Sequence, residues 1–245
     1  MIDFDDGFNS LSILNFKDPN IDRVDYFMAK VVIFGSSDIA DVVYFYLTRD
    51  SAHEVVGFTV DGEYLTTDTF QGLPIVPYEK LEEYYPPDRY HLFIAISYVK
   101  VNQLRKSKYL DAKNRGYKFI SYVSSQAYYH DTPIGENTFI TERNLIQPFV
   151  SIGNNCILLG PNYVGHHSII EDHCFLTADV SIGGGSTIGE SSFIGLNATI
   201  RNWVSIGKEN IIGAGSIILS NTEDRAVYAP GETPKFAVPS NLIRI

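Results

Sequence analysis

The chain of 245 residues is poor in cysteine, methionine and tryptophan, with two, two and one of each. Two cysteines cannot build the disulfide framework on which small secreted domains depend. Basic residues are also scarce: 19 Lys and Arg stand against 29 Asp and Glu, a formal net charge of −10. That balance argues against nonspecific nucleic-acid binding, which rests on cations neutralising phosphates. It leaves room for an anionic small ligand, because a local basic patch outweighs a distant acidic surface. No apolar run approaches the roughly 18–20 residues needed to span a bilayer. The opening residues Met1 to Asp6 are acidic rather than basic, which speaks against a secretory signal. The expectation is a cytoplasmic protein with reduced thiols and no membrane insertion. The six histidines show no metal-ligand spacing, and no Gly-x-Ser-x-Gly elbow, P-loop or Cys-His nucleophile arrangement is present, so no metal is expected.

What the chain does contain is a ladder. From Ile134 an aliphatic residue recurs at every sixth position: Ile134, Ile140, Ile146, Ile152, Leu158, Val164, Ile170, Leu176, Ile182, Ile188, Ile194, Ile200, Ile206, Ile212 and Ile218. Neither a helix nor an ordinary strand generates a strict period of six. The period specifies a solenoid of short parallel strands, with six residues to each side of a three-sided coil. Gly follows the ladder residue at 135, 153, 165, 183, 189, 195, 207 and 213, where each strand is expected to turn a corner with unusual dihedrals. Four positions after the ladder residue the side chain is small, as at Thr138, Cys156, Ser168, Cys174, Ser186, Ser192, Ala198 and Ser216, to fit a narrow interior. Cys156 and Cys174 are one coil apart and read as inward-facing thiols on neighbouring rungs.

Residues 29–122 read as a small Rossmann-like α/β domain. Strands are expected at 31–35, 55–60, 91–96 and 117–122, with helices at 38–49, 78–84 and 99–115, giving a parallel sheet with right-handed crossovers. Residues 1–28 form an extension without periodicity, 123–133 a linker, 134–220 the β-helix and 221–245 a C-terminal loop and cap.

Two places carry candidate chemistry. The turn Gly35-Ser36-Ser37-Asp38 follows the first strand and opens a helix, where backbone N–H groups can meet a phosphate. Asp61, ending the second strand, stands where an acidic residue accepts from a ribose hydroxyl. A plain capped turn is the competing reading of that segment. The other place is His166, two positions past ladder residue Val164 and one coil from Gly184. An imidazole beside an exposed glycine backbone makes a base and an oxyanion donor. His173 reads as a solvated or hydrogen-bonded group, and Arg201, Lys208, Arg225 and Lys235 as solvated cations or contacts for an elongated anionic cosubstrate.

The hexad ladder with its glycines resembles the left-handed β-helix, or hexapeptide-repeat, acyltransferases. The preceding Rossmann-like domain narrows the resemblance to the bacterial sugar O-acyltransferase family, which includes sialic acid O-acetyltransferases and nucleotide-amino-sugar N-acetyltransferases. It covers roughly residues 30–238. The motifs that carry it are Val164-Gly165-His166, the run 183–195, Ile212-Gly213-Ala214-Gly215 and Tyr228 to Lys235.

The resemblance implies a homotrimer that takes acetyl-CoA as cosubstrate, with active sites between adjacent prisms. The base falls on His166 and the oxyanion glycine on Gly184; cosubstrate contacts fall on Gly184, Ala214, Gly215 and Lys235. His167 stands where the family has an acidic base-orienting residue. Phe175 stands where some members have a second histidine, and Asp38-Ile39 where the sugar-nucleotide turn has a Gly and a His. The expected function is acetylation of an amino group on a nucleotide-linked sugar for surface-glycan synthesis, with Gly35, Ser36, Ser37 and Asp61 holding the acceptor. O-acetylation of a sugar is the alternative within the fold, and a non-catalytic trimeric scaffold the alternative outside it.

Overall fold

The computed structural model of the chain describes residues 28–231. Its first part contains strands β1 (Lys30–Phe34), β2 (Glu54–Val60), β3 (Thr69–Phe70), β4 (Leu73–Pro77), β5 (His91–Ile94) and β6 (Lys118–Phe119). They form one sheet in the order β3-β4-β2-β1-β5-β6, parallel except for β3. Helices α1 (Asp38–Arg49), α2 (Leu81–Tyr84) and α3 (Gln103–Asn114) connect the strands. Strand β1 shows why both faces are covered: Val31 and Ile33 join one core, Val32 and Phe34 the other. Helix α1 buries Ala40, Val43 and Leu47, the one-face spacing of an amphipathic helix.

Two local features differ from the expected elements. The β3–β4 hairpin turns through Gln71 and Gly72, both in left-handed backbone (φ 50° and 75°), where no strand is expected because Pro74 and Pro77 interrupt the pattern. Helix α3 starts at Gln103 rather than 99, because Lys100, Val101 and Asn102 all have positive φ (51°, 52° and 65°) and cannot be helical.

The second part is a three-sided parallel β-helix built from two-residue strands, running from Phe139–Ile140 to Ile217–Ile218. Each strand pairs with one a full coil away, as Tyr163 does with Ser181 and Val164 with Ile182. The three faces are sheets of seven, five and four strands. Every ladder residue from Ile140 to Ile218 is buried in one core, against which Ile134 packs. The small residues four positions on, Cys156 and Cys174 among them, are buried too. Both cysteines are free, and burial pushes the Cys174 thiol well up. The seven-stranded face extends beyond the ladder: Tyr122–Val123 pairs with Phe139–Ile140, and Val227–Tyr228 with Ile211–Ile212. The first of these strands spans the boundary between the segments read as α/β domain and linker, and the second lies in the segment read as terminal cap.

The glycines after the ladder residues have a different cause from the one expected. None of the eight has a positive φ; the left-handed residue comes two positions later, as at Asn137, Asn155, His167 and Gly185. Their constraint is contact between coils. A Cβ on Gly165 would lie 2.4 Å from the Gly184 nitrogen, and one on Gly195 2.6 Å from the Ala214 nitrogen. The coils stack too closely for a side chain there.

The first domain sits on the seven-stranded face. Phe139, Ile157 and Phe175 share a core with β1, β2 and α1. Arg105 of α3, fully buried, pins the junction. Its guanidinium donates to Ile96 O, Ser97 O and Asn102 Oδ1 on one side and to Asn155 O, His173 O and Cys174 O on the other. Burial holds its pKa down to about 10, so it remains charged at neutral pH. Asn102 completes the lock by donating to Ser191 O and Ser192 O.

Candidate active site

Each turn of the coil passes from the five-stranded to the four-stranded face through a four-residue corner, and His166 lies in one of these. Tyr163–Val164 ends the strand on one face, and Ile169–Ile170 begins the strand on the next. His166 is exposed, and its imidazole lies over the corner of the following coil: a Cβ on Gly184 would be 2.8 Å from Cε1 and 2.9 Å from Nε2. The base and glycine expected from coil arithmetic are therefore adjacent. The glycine is not exposed, however; the ring covers it, and Gly184 is buried.

The Gly184 N–H donates no hydrogen bond among the described residues. The equivalent N–H is taken by a side-chain oxygen at Glu136, Asn154, His166, Glu190 and Lys208. An imidazole with Nε2 against an open backbone donor is an arrangement suited to removing a proton beside a site where negative charge develops.

His167 bonds to His166 Nδ1 to Nδ1 at 3.0 Å, and Phe149 packs on the His167 ring with centroids 4.7 Å apart. For Nε2 of His166 to act as base, its Nδ1 must carry the proton and donate it to His167, whose own proton then sits on Nε2. A neutral acceptor fixes the tautomer as a carboxylate would, without the carboxylate's charge.

The expected acceptor residues divide. Ser36, Ser37 and Asp61 line a pocket of about 270 Å³ together with Phe34, Val60, Tyr64, Ile96, Leu104 and Lys108, at the carboxyl ends of the parallel strands. Gly35 does not offer its N–H to a ligand, because it donates to Thr59 O. Gly35 has φ 129°, and a Cβ there would meet Ala95 O at 2.7 Å, so close packing against β5 explains this glycine. Asp61 is not free either: Lys108 Nζ lies 2.5 Å from its Oδ1. Lys108, unmarked by any motif, is the cation of this pocket, held above the rings of Phe34 and Tyr78.

The expected cosubstrate residues lie elsewhere. Ala214 and Gly215 are exposed at the corner between the seven- and five-stranded faces, so in one chain the five-stranded face separates them from His166. Lys235 lies outside the described residues. His173 is buried, 4% exposed, its Nδ1 2.9 Å from Asn155 Nδ2 and its ring against Tyr109. Burial drives its pKa down to about 4. Lys208 pairs with Glu190 and Arg225 with Glu209. Among the described residues, no group of three or more His, Cys, Asp or Glu could hold a metal ion. No helix among them is long and apolar enough to cross a membrane.

Comparison with known proteins gives the fold a context. The family profile described as hexapeptide repeat of succinyl-transferase matches residues 185–220. A histidine-to-asparagine variant of perosamine N-acetyltransferase from Caulobacter crescentus, solved with CoA and GDP-perosamine, superposes with a TM-score of 0.75 at 24% identity, covering 83% of this chain and 95% of that one. The acetyltransferase domain of PglB from Neisseria gonorrhoeae FA1090 gives 0.71 at 19% identity, over 82% and 97%. WeeI from Acinetobacter baumannii AYE gives 0.65 at 19% identity, over 82% and 96%. A search of curated protein sequences finds no match. The chain thus has the architecture expected of it, a Rossmann-like α/β domain followed by a left-handed parallel β-helix of hexapeptide repeats. It shares that fold with sugar acetyltransferases over most of its length.

Proposed function

We propose that this chain is an acyltransferase of the sugar O-acyltransferase family, moving an acetyl group from acetyl-CoA to the amino group of a nucleotide-linked sugar. One observation carries the reading: the His166 imidazole lies on Gly184, whose backbone N–H has no hydrogen-bond partner among the described residues. The structural neighbour solved with CoA and GDP-perosamine supports the choice of substrates.

His166 Nε2 takes the proton of the attacking amine as its nitrogen forms a bond to the thioester carbonyl carbon. The Gly184 N–H, beside the base, holds the developing oxyanion. Collapse of the tetrahedral intermediate breaks the carbon–sulfur bond, and the His166 imidazolium returns its proton to the CoA thiolate. The products are the N-acetylated sugar and free CoA. His167 keeps His166 in the productive tautomer throughout.

The pocket of Ser36, Ser37, Asp61 and Lys108 holds the nucleotide moiety, with Lys108 answering its phosphates. The separation of Ala214 and Gly215 from His166 supports a homotrimer in which a neighbouring prism brings its cosubstrate edge to this base. A cytoplasmic role in bacterial surface-glycan synthesis follows from these substrates. The occupation of Asp61 by Lys108 favours one second reading, O-acetylation of a sugar without a nucleotide handle.

The test is incubation with acetyl-CoA and a panel of nucleotide-linked amino sugars and free sialic acids, read by mass spectrometry. Gain of one acetyl group on an amino sugar nucleotide is the expected result. Gain on a free sugar hydroxyl establishes the second reading. Absence of both transfer and calorimetric acetyl-CoA binding leaves the scaffold alternative.

A further inference from the structure

One residue further along each coil from His166 and Gly184 runs a second column on the same edge: Phe149, His167, Gly185 and Trp203. All four are left-handed, with φ of 67°, 60°, 71° and 63°. That conformation recurs at this corner position throughout the β-helix, so it does not mark these residues. Their side chains do. Elsewhere the position holds asparagine at 137, 155 and 197, arginine at 143, histidine at 173, aspartate at 179, serine at 191, glutamate at 209 and glycine at 215. Here the sequence is aromatic, aromatic, none, aromatic.

The missing side chain explains the last aromatic ring. A Cβ on Gly185 would lie 2.1 Å from Cε3, 2.3 Å from Cζ3 and 2.6 Å from Cδ2 of Trp203. The indole therefore lies across the Gly185 backbone, in space that any other residue would fill. Trp203 is nonetheless 71% exposed and Phe149 75% exposed, so both keep an apolar face open to the surroundings. The edge around Gly184 is thus bracketed. Phe149, stacked on His167, closes it toward the earlier coils, and the indole over Gly185 closes it toward the later ones.

We propose that Trp203 is the wall of the acyl pocket and restricts the donor to short acyl thioesters. The inference rests on the acyltransferase reading and deepens it. A carbonyl oxygen accepting from the Gly184 N–H places its acyl carbon within one residue of the indole. On this reading a methyl group lies beside the indole, and each further methylene meets a ring that rests on the Gly185 backbone. Trp203 sets the acyl size without taking part in proton transfer, so it is a specificity residue rather than a catalytic one.

The experiment compares acetyl-, butyryl- and hexanoyl-CoA as donors to the acceptor found for the wild-type enzyme, using the full-length chain and its Trp203→Ala and Trp203→Phe variants. Size discrimination of one methylene in a pocket is worth about 10–200-fold. The wild type should therefore use hexanoyl-CoA at least about 100-fold less well than acetyl-CoA in kcat/KM, Trp203→Ala should narrow that gap to under about tenfold, and Trp203→Phe should fall between. A Trp203→Ala variant whose preference is unchanged, whether its acetyl-CoA KM rises or its oligomer dissociates, overturns the inference and makes the indole a pantetheine or subunit contact. Should alanine compromise folding, Trp203→Leu keeps an apolar contact and must still widen the donor range. A wild type that acetylates its acceptor while the ratio stays fixed removes only this inference; a wild type that transfers no acyl group from any donor removes the acyltransferase reading and this one with it.

Discussion

Replacing Gly184 by alanine places a methyl group 2.8 Å, 2.9 Å and 3.2 Å from three atoms of the His166 ring, where ordinary contacts begin near 3.4 Å. The backbone accepts the change, because Gly184 does not lie in the left-handed region. What gives way is the imidazole, an exposed side chain free to move outward. The ring must retreat by about half an ångström or more, and a misplacement of that order at a reacting centre costs roughly 100-fold. The methyl also crowds the approach to the Gly184 N–H, and loss of one oxyanion donor costs about 10²–10³ in kcat. Because the displaced group is at the surface, stability should change by less than about 0.5 kcal/mol. The expected result is a Gly184→Ala enzyme with kcat lowered at least about 100-fold and an unaltered melting temperature. Steady-state kinetics with acetyl-CoA, beside thermal unfolding followed by circular dichroism, measures both. Activity within threefold of wild type would refute the placement of the base on this glycine.

Three other perturbations test the frame around the site. Arg105→Met removes six hydrogen bonds and leaves the carbonyls of Asn155 and His173 without a donor among the described residues, while that of Cys174 keeps the Ile157 N–H. A loss of about 3–5 kcal/mol is expected, and with it roughly 8–15 °C in melting temperature; a shift under about 2 °C contradicts the pin. Burial holds His173 near pKa 4, below its unfolded value of 6.5, so its neutral form contributes stability that is complete above pH 6.5 and drains away as pH falls toward 4. The loss reaches about 3 kcal/mol, and urea unfolding at pH 7, 5.5 and 4 should show the wild type losing about that much more than His173→Asn, because burial also holds down His53 and His91 in both proteins. Lys108→Met should raise KM for a nucleotide-linked acceptor about tenfold with kcat little changed, while a free-sugar acceptor should be indifferent to it.

Most of the β-helix was legible because its period is imposed by the coil itself. Each ladder residue faces one interior, and a slip by a single position would turn Ile200 or Ile206 to solvent. The same arithmetic placed His166 against Gly184 and stacked the two cysteines. It also yielded a wrong reason for a right observation: the glycines at 165 and 195 were expected to bend the chain, whereas they clear space for the next coil. The α/β domain was legible where strands are long and apolar, as in β1, and illegible in the β3–β4 hairpin, whose two prolines obscure alternation.

Side-chain partners across distance were the larger gap. Nothing local marks Arg105 as buried, because half of its partners, the carbonyls of Asn155, His173 and Cys174, come from coil corners 50 to 69 residues further on. Lys108 sits on a polar helix and reveals its role only when β2 brings Asp61 beside it. Phe149 and Trp203 did leave a trace. Both are large apolar aromatics at a left-handed corner position held elsewhere by polar residues or glycine, and laying the sequence out in rows of eighteen would have put them in one column with Gly185.

The most direct measurement is the rate of acetyl transfer by a His166→Ala chain to the acceptor used by the wild type, with acetyl-CoA binding measured alongside by calorimetry. Loss of the base should lower kcat by about 10²–10⁴ while acetyl-CoA still binds. Turnover near the wild-type rate would contradict the assignment of His166 as the proton acceptor, and the mechanism built on it.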